Sequence, residues 1–484
     1  TKRSDWLLAL YRPGSSNGYC TGGDILMIKV HFVGIGGTGI SAIARVLLEK
    51  GWQVSGTDMQ ASTYFNAVTL QGAETRLGHH PDLAVQADLL VRSSAVKDND
   101  PEVMAAREVG IPVLKRADFL PELTKYSDTL AVAGSHGKTT TTAMLIHLFR
   151  SAGKDPSFIL GSDSKSLRTN AHAGKDKSFI IEADEYDYMF LGLEPFISLV
   201  LNIEYDHPDF FPTESDYLQA FVDFIHKTRP EGKILLGGDD EGVQHLIDQV
   251  GDLSEKISCF GFNPTSDYRV IDHEILEHGQ HFSLLLPNEE KIGPFRLPLP
   301  GKFNVLNAAA ALAAAHLFGL DIKTLTDALI DFHGTSRRFD LVCQQGDVLV
   351  FNDYGHHPSQ LRQTIQGARE LYPYHSIWAV WEPHTISRTK RLHSEFASAL
   401  CSADQSVILR LFGAREDDSS YSPEAIANEI LDANCVYLPD NDQAASHILS
   451  GLTGKDVVLV FSAGKGPEFS QLLCEKIIRE AQND

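Results

Sequence analysis

Apolar residues recur along the chain in short dense runs, each followed by a glycine- or acid-bearing turn and then by a stretch of helical period. Strands are expected at Ile28–Val33, Trp52–Gly56, Asp88–Ser94 and Ile111–Leu114, with helices at Ile40–Lys50, Val103–Glu108 and Ala117–Leu123. The alternation resumes at the strand Thr129–Ala133 and a helix whose apolar stripe is Met144, Leu145, Leu148 and Phe149. Further strands are expected at Phe179–Ile181, Ile197–Asn202, Ile234–Leu236, Cys259–Phe262, Tyr268–Ile275 and His281–Leu286. A helix at Tyr217–Thr228 and a long alanine helix after Asn307 belong to the same region. A last cycle runs through strands Val348–Phe351, Ser376–Trp381, Ser406–Leu409 and Asp456–Phe461, with helices at Pro358–Leu371, Leu392–Leu400 and Pro423–Ala433. The pattern predicts an α/β fold of three domains, each with its loops after the strands: 27–127, 128–335 and 336–484. The first and last have Rossmann-like patterns, and the central one carries a phosphate-loop pattern.

Residues 1–26 have no period and are rich in Gly and Ser. They are expected to be a disordered extension, with the working protein starting near Met27. A net charge of −22 argues against a broad nucleic-acid or anionic-membrane surface; an anionic substrate would need a local exception. The six cysteines are scattered without a C-x-x-C pair, so they read as reduced thiols of a cytoplasmic protein. The longest apolar run, Ala308–Leu320, is too short to span a bilayer, so no membrane insertion is expected.

The chemistry concentrates in the loops after strands. Gly134-Ser135-His136-Gly137-Lys138-Thr139-Thr140 is a tight glycine turn opening a helix. Backbone N–H groups and a positive helix end there face an anion, Lys138 can reach terminal phosphates, and Thr139 can ligate Mg²⁺. The loop is two residues shorter than the usual G-x-x-x-x-G-K-[ST] pattern. Glu182 and His207, each just after a strand, are the expected metal ligands with Thr139. Gly36, Gly37 and Thr38 form a turn suited to a pyrophosphate. Asp58 ends the second strand as a ribose or base acceptor, and Ser93 and Ser94 end the next one. Asn304 and Asn307 lie three apart, placed to read an adenine edge together, or else Asn304 simply caps a helix. Arg338 suits a bidentate phosphate contact.

Six stretches in order, GSHGKTTTT at 134–142, EADE at 182–185, NIEYDH at 202–207, GKFNVLN at 301–307, SRRFD at 336–340 and NDYGHHP at 352–358, resemble the Mur ligases from Met27 to the end. The short phosphate loop is that family's form. The resemblance implies a UDP-sugar-binding first domain, a central ATP-binding domain and a C-terminal ligase domain. It implies ATP and Mg²⁺ (or Mn²⁺) as cofactors, with Lys138, Glu182, His207, Arg338, His356 and Arg388 as catalytic residues. Gly134–Thr140, Asn304, Asn307, Arg338 and Asp353 would hold the nucleotide. HFVGIGGTGIS, Ser93-Ser94-Ala95 and Pro383–Thr389 resemble the branch that joins L-alanine to UDP-N-acetylmuramate, acting as a monomer or homodimer. No lysine lies between His207 and Lys227, which disfavours the branches that use a carbamylated lysine there. Glu382 resembles instead the relatives that attach a recycled tripeptide, and Phe303 and Asn352 depart from the usual His and Asp. A nicotinamide-dependent oxidoreductase would leave Gly-Lys-Thr-Thr and the acid–His pair unexplained, and a non-catalytic sugar-nucleotide sensor would not need them.

Overall fold

A computed structural model describes residues 28–164, 167, 169–277, 279–413, 416, 421–430 and 434–482. The expected extension 1–26 and its boundary at Met27 lie outside them. The chain divides into two compact units. One takes in the residues up to Ile203, Ser215–Asp267 and Ala310–Leu325; the other holds Glu204–Glu214, Tyr268–Ala309 and the chain from Thr326.

The first unit opens with a parallel five-stranded sheet made of β1 (Lys29–Val33), β2 (Gln53–Asp58), β3 (Glu74–Leu77), β4 (Leu89–Arg92) and β5 (Val113–Lys115). Its order, β3-β2-β1-β4-β5, reverses at β1, and open α/β sheets bind ligands at such a switch point. The glycine turn at 34–37 sits there, feeding α1 (Thr38–Glu49). The central strands β1 and β4 are buried along nearly their whole length, which is why they read as continuous apolar runs. Besides a four-residue helix at Pro81–Ala84, three further helices serve this sheet: α2 (Thr63–Leu70), α3 (Pro101–Glu108) and α4 (Arg116–Thr124). The pattern did not predict β3, because ETRL is a polar edge strand with no buried face to mark it.

A second sheet of this unit centres on β6 (Asp128–Ala133), flanked by β9 (Ser178–Glu182) and β10 (Ile197–Val200). Outside them lie β7 (Ser157–Ile159) with β8 (Ala171–His172) on one side, and β11 (Lys233–Gly237) with β12 (Ile257–Gly261) on the other. All pair in parallel except β7 with β8. Helix α5 (Lys138–Ser151) leaves the C-terminal end of β6 and is buried over most of its length, including Thr139–Thr142. Helices α6 (Glu214–His226) and α7 (Glu241–Gln249) follow.

In the second unit, β13 (Tyr268–Leu276), β14 (Gly279–Leu285) and β15 (Lys291–Leu297) form an antiparallel meander leading into α8 (Lys302–Leu317). The C-terminal sheet runs β16-β17-β21-β18-β19-β20: β16 (Asp340–Gln345), β17 (Asp347–Asp353), β18 (Ser376–Trp381), β19 (Gln405–Ile408), β20 (Cys435–Tyr437) and β21 (Lys455–Phe461). Only the β16–β17 pair is antiparallel. Helix α9 (Pro358–Leu371) follows β17. The expected helix at 392–400 is α11 (His393–Leu400), and an unexpected one, α10 (Ile386–Arg391), precedes it across Leu392. The expected helix at 423–433 is also shorter. It ends at Glu429 because Ile430 turns extended (φ −81°, ψ 98°) on the way to the edge strand β20, and 431–433 lie outside the described residues. After that short helix come α12 (Asn441–Gly451) and α13 (Gly466–Ala481).

Candidate active site

In the first unit the site is built on the turn between β6 and α5. Gly137 caps α5 at φ +84°, a left-handed conformation that favours glycine, and no side chain caps the helix. The first-turn N–H groups of α5 are therefore left for an anion. Asn202 at the end of β10 pins the turn by a reciprocal pair: His136 N donates to its Oδ1 (2.8 Å) and its Nδ2 donates to His136 O (3.0 Å). Ser135 Oγ lies 2.8 Å from Tyr217 OH, which donates to Glu185 Oε1 at 3.2 Å. Lys138 Nζ folds back onto Gly134 O (2.6 Å) and Glu185 Oε2 (2.8 Å). Burial opposes its charge, but Glu185 and Asp184 outweigh that and raise its pKa. Thr140, the last residue of the expected loop, is buried in the same first turn.

Thr139 Oγ1 donates to Glu182 Oε1 at 2.8 Å, and Gly161 N donates to Oε2 at 2.7 Å. Burial raises the pKa of Glu182, against the pull of Gly161 N–H, Lys138 and Thr139. A hydroxyl and a buried carboxylate side by side are hard oxygen donors whose negative charge lacks full compensation, so the pair fits Mg²⁺ or Mn²⁺.

At the other sheet of this unit the turn is self-braced. Gly36 N donates to Asp58 Oδ2 (2.9 Å), Ser62 Oγ donates to Gly36 O (2.7 Å), and Gln60 N donates to Asp58 Oδ1 (3.2 Å). Asp58 thus shapes the glycine turn as well as standing at the end of β2. Gly37 N donates to Gly34 O, Thr38 opens α1, and Ser93 N donates to Val33 O, setting Ser93 and Ser94 just past β4 beside the turn.

The second unit gathers the remaining residues. Asn307 Nδ2 donates to Asn304 Oδ1 (3.3 Å), and Asn304 Nδ2 donates to Pro300 O (2.7 Å). The two carboxamides do meet on one face. Helix α8 starts at Lys302, so Asn304 lies inside its first turn and is not the cap. Arg338 lies over the Tyr354 ring at 5.1 Å, in a segment where Arg337 (φ +60°) and Phe339 (φ +46°) are left-handed. Non-glycine residues held so are strained, and such strain clusters at functional sites. Asp353 braces this segment: Oδ2 accepts from Phe339 N and Oδ1 from Gly355 N, while burial raises its pKa against Arg338.

His207 (φ +57°) neighbours Asp206, which the sequence reading passed over. Arg388 donates from Nε (2.9 Å) and Nη2 (2.8 Å) to Asp206 Oδ1. His356 Nε2 lies 3.7 Å from Asp206 Oδ2, and its Nδ1 is 3.0 Å from Tyr354 O. Burial works against the Asp206 charge, but Arg388, His207 and His356 hold its carboxyl well below the usual range. Burial and Arg388 lower His356 to about 3. His384 falls to about 4 for the same two reasons. Arg388, which the resemblance implies to be catalytic, is here engaged by an internal carboxylate; both side chains are buried, and neither charge would be tolerated there unpaired. Glu382 accepts from Ser462 Oγ (2.5 Å) and Lys465 N (2.8 Å), closing the turn after β21.

The sequence reading also missed Glu185, Asn202 and Tyr217. Glu185 stood in the quoted EADE stretch, but nothing in the spacing says which of its acids faces Lys138. Among the described residues, no helix is long and apolar enough to cross a membrane.

Three family models match in succession: the Mur ligase family catalytic domain over residues 29–127, the Mur ligase middle domain over 132–315, and the Mur ligase glutamate ligase domain over 337–464. The chain is 36% identical over 458 residues to a UDP-N-acetylmuramate–L-alanine ligase of Syntrophomonas wolfei, covering 93% of this chain and 98% of that protein. Among solved structures it is similar to the UDP-N-acetylmuramate–alanine ligase MurC of Thermotoga maritima (TM-score 0.77, 26% identity, 94% and 99% of the two chains). A murein peptide ligase of Psychrobacter arcticus shares the fold (TM-score 0.66, 23% identity, 93% and 98% covered). The matched models, the near full-length relative and the shared three-sheet architecture agree: the chain belongs to the Mur ligase family.

Proposed function

We propose that this protein joins L-alanine to UDP-N-acetylmuramate with ATP, through an acyl phosphate. The observation that carries the reading is the short phosphate loop with Lys138 beside Glu185 and Thr139 on Glu182, in a chain 36% identical to a UDP-N-acetylmuramate–L-alanine ligase. The lactyl carboxylate attacks the γ-phosphorus and ADP leaves. The amine of L-alanine then attacks the acyl carbon, phosphate leaves, and the amine loses a proton. Two anions must meet in the first step, so charge neutralisation dominates the barrier. Lys138 would move from Glu185 to the terminal phosphates. Thr139, Glu182 and His207 would hold Mg²⁺, which when bound neutralises phosphate charge as a Lewis acid. The turn of Gly134–Thr140 would cradle the phosphates, Asn304 and Asn307 would hold the adenine, and Arg338 with Asp353 would reach the nucleotide. Gly36, Gly37, Thr38, Asp58, Ser93 and Ser94 would hold the UDP end. Arg388 would fix Asp206, and through it the backbone of His207, whose N–H donates to Asp206 Oδ1 at 2.7 Å. His356 would stay neutral beside them. The proposed setting is the cytoplasm, where ATP is at hand; the five described cysteines are free thiols.

Phosphate release with ATP, Mg²⁺ and UDP-N-acetylmuramate is the test, comparing L-alanine with L-Ala-γ-D-Glu-diaminopimelate as the amine. Release with L-alanine is expected. Release with the tripeptide alone would sink the reading.

A further inference from the structure

The chain enters α8 through Leu297-Pro298-Leu299-Pro300-Gly301, in which two of the residues are prolines without an N–H. Such a segment is poor in donors of its own, so its carbonyls must be satisfied from elsewhere. Gln280, near the start of β14 and only 2% exposed, does this for two of them. Its Nε2 donates to Leu299 O at 2.6 Å and to Gly301 O at 3.0 Å, which uses both amide hydrogens. Its Oε1 lies 2.8 Å from His273 Nε2 on β13. The orientation of the carboxamide follows from these partners: turned over, it would set an oxygen against two carbonyls. Because Oε1 only accepts, His273 carries a proton on Nε2. Gly279 (φ +114°) lets the segment come this close to β14, since a Cβ there would lie 2.4 Å from Leu297 O and 2.8 Å from Pro298 Cα.

The same turn sets the first asparagine of α8. Gly301 O also accepts from Asn304 N (3.0 Å), and Pro300 O accepts from Asn304 Nδ2 (2.7 Å). Asn304 Oδ1 then accepts from Asn307 Nδ2 (3.3 Å). Helix α9 backs the turn closely: a Cβ at Gly367 would lie 3.3 Å from Gly301 Cα and N. We infer that Gln280 is a positioning residue for nucleobase selection: it fixes the carbonyls that aim Asn304 and Asn307 at a purine edge, and His273 fixes Gln280. The inference rests on the adenine reading of those two asparagines given above. A carboxamide pair selects one base over another only while each oxygen and each NH₂ keeps its place, because the wrong base then leaves a desolvated polar group unpaired. Gln280 supplies that constancy from β14, without itself being part of the pair.

The test is calorimetric binding of ATP and of ITP to the full chain with Mg²⁺. ITP has the same triphosphate but a carbonyl in place of the exocyclic amine. The wild type is expected to prefer ATP. Gln280→Leu, which keeps the bulk and removes both donors, should weaken ATP about 10-fold and ITP much less, so that the preference falls by about the same factor, with UDP-N-acetylmuramate affinity unchanged. His273→Ala leaves the Leu299 and Gly301 bonds in place and removes only the group that orients the amide; a fall of about 2- to 5-fold in the preference is expected, and this variant decides the matter if Gln280→Leu does not fold. Equal weakening of ATP and ITP marks a merely structural role and overturns the inference, as does a preference that His273→Ala leaves untouched. A wild type that binds both nucleotides alike overturns it together with the adenine reading. Because binding is read without turnover, a wild type that forms no product with L-alanine, yet whose ATP preference falls in the variants as expected, fails the ligase assignment alone.

Discussion

Lys138 and Glu185 are a buried ion pair standing where a phosphate chain is expected, with Lys138 side-chain exposure of 14% and Glu185 of 1%. Removing the lysine does two things at once: it deletes the cation for the γ-phosphate and it strands a buried carboxylate. Lys138→Ala is expected to lower kcat by about 10²- to 10³-fold, with UDP-N-acetylmuramate affinity nearly intact by calorimetry. Lys138→Met combined with Glu185→Gln should recover stability without recovering turnover, and equal loss of ATP turnover and sugar-nucleotide binding in Lys138→Ala would contradict the division of roles. The histidines of the second unit give a pH prediction. His356 and His384 stay unprotonated in the fold down to about 3 and about 4, against an ordinary 6.5 in the unfolded chain. Below 6.5 the unfolded chain therefore binds more protons, and stability falls as pH falls from 6.5 toward 4. His384, faced by Arg388, Asp206, Glu416 and His207, should contribute a slope of about 1.4 kcal/mol per pH unit in that window, which His384→Gln removes; an unchanged slope in denaturant titrations would refute it. Asp206 belongs to a separate window: its depressed carboxyl contributes above 3.8 and is lost only below it. At this scale the candidate phosphate and metal groups were legible because Lys138, Thr139 and Glu182 sit in spaced stretches. Their partners were not: Glu185, Asp206 and Asn202 matter through what the fold brings beside them, and no spacing in one sequence encodes that.

At the scale of elements, Lys138, Glu182, His207 and Asp353 stand at or just past the C-terminal ends of parallel strands, whereas Asn304 and Asn307 lie in α8 after the antiparallel meander and Arg338 precedes β16; the parallel strands were readable because burial on both faces makes them apolar throughout. What escaped was mostly polar, edge or short structure: β3, β16 and β20 pack one face or none, α2 and α12 carry weaker apolar periods, and the buried β7 and the amphipathic α7 are only three and nine residues long. The interior of β2 shows how the first glycine turn is held. Gly56 faces Ile35, which folds back from the turn; a Cβ at Gly56 would lie 2.6 Å from Ile35 Cδ1 and 2.8 Å from Phe32 O. Backbone cannot yield as a flexible side-chain tip does, so the turn itself must shift. Gly56→Ala is expected to cost about 1–3 kcal/mol in stability and to weaken UDP-N-acetylmuramate binding, with KM for ATP unaffected. A stable variant with normal sugar-nucleotide affinity would show that the turn does not depend on this contact.

For the whole molecule, the proposed reaction draws on both compact units. Lys138, Thr139, Glu182 and the glycine turn belong to the first, and His207, Asn304, Asn307, Arg338 and Asp353 to the second. The net charge of −22 sharpens the requirement, because ATP and the sugar nucleotide are both anions and general attraction cannot gather them. Local cations must do so, and in the first unit Lys138 is held by Glu185. An arrangement competent for chemistry would then form when the sugar nucleotide has bound. It should not form with ATP alone, since water would otherwise take the phosphoryl group that the carboxylate needs. ATP hydrolysis without UDP-N-acetylmuramate is accordingly expected to be at least about 100-fold slower than the full reaction. Adding the sugar nucleotide without L-alanine should allow at most one phosphoryl transfer per site before the acyl phosphate waits for its amine. Rapid-quench measurement of ADP and phosphate under these three conditions separates the cases. Steady ATP hydrolysis that ignores UDP-N-acetylmuramate would mean that the phosphate loop is complete by itself, and that the second unit contributes binding without gating the chemistry.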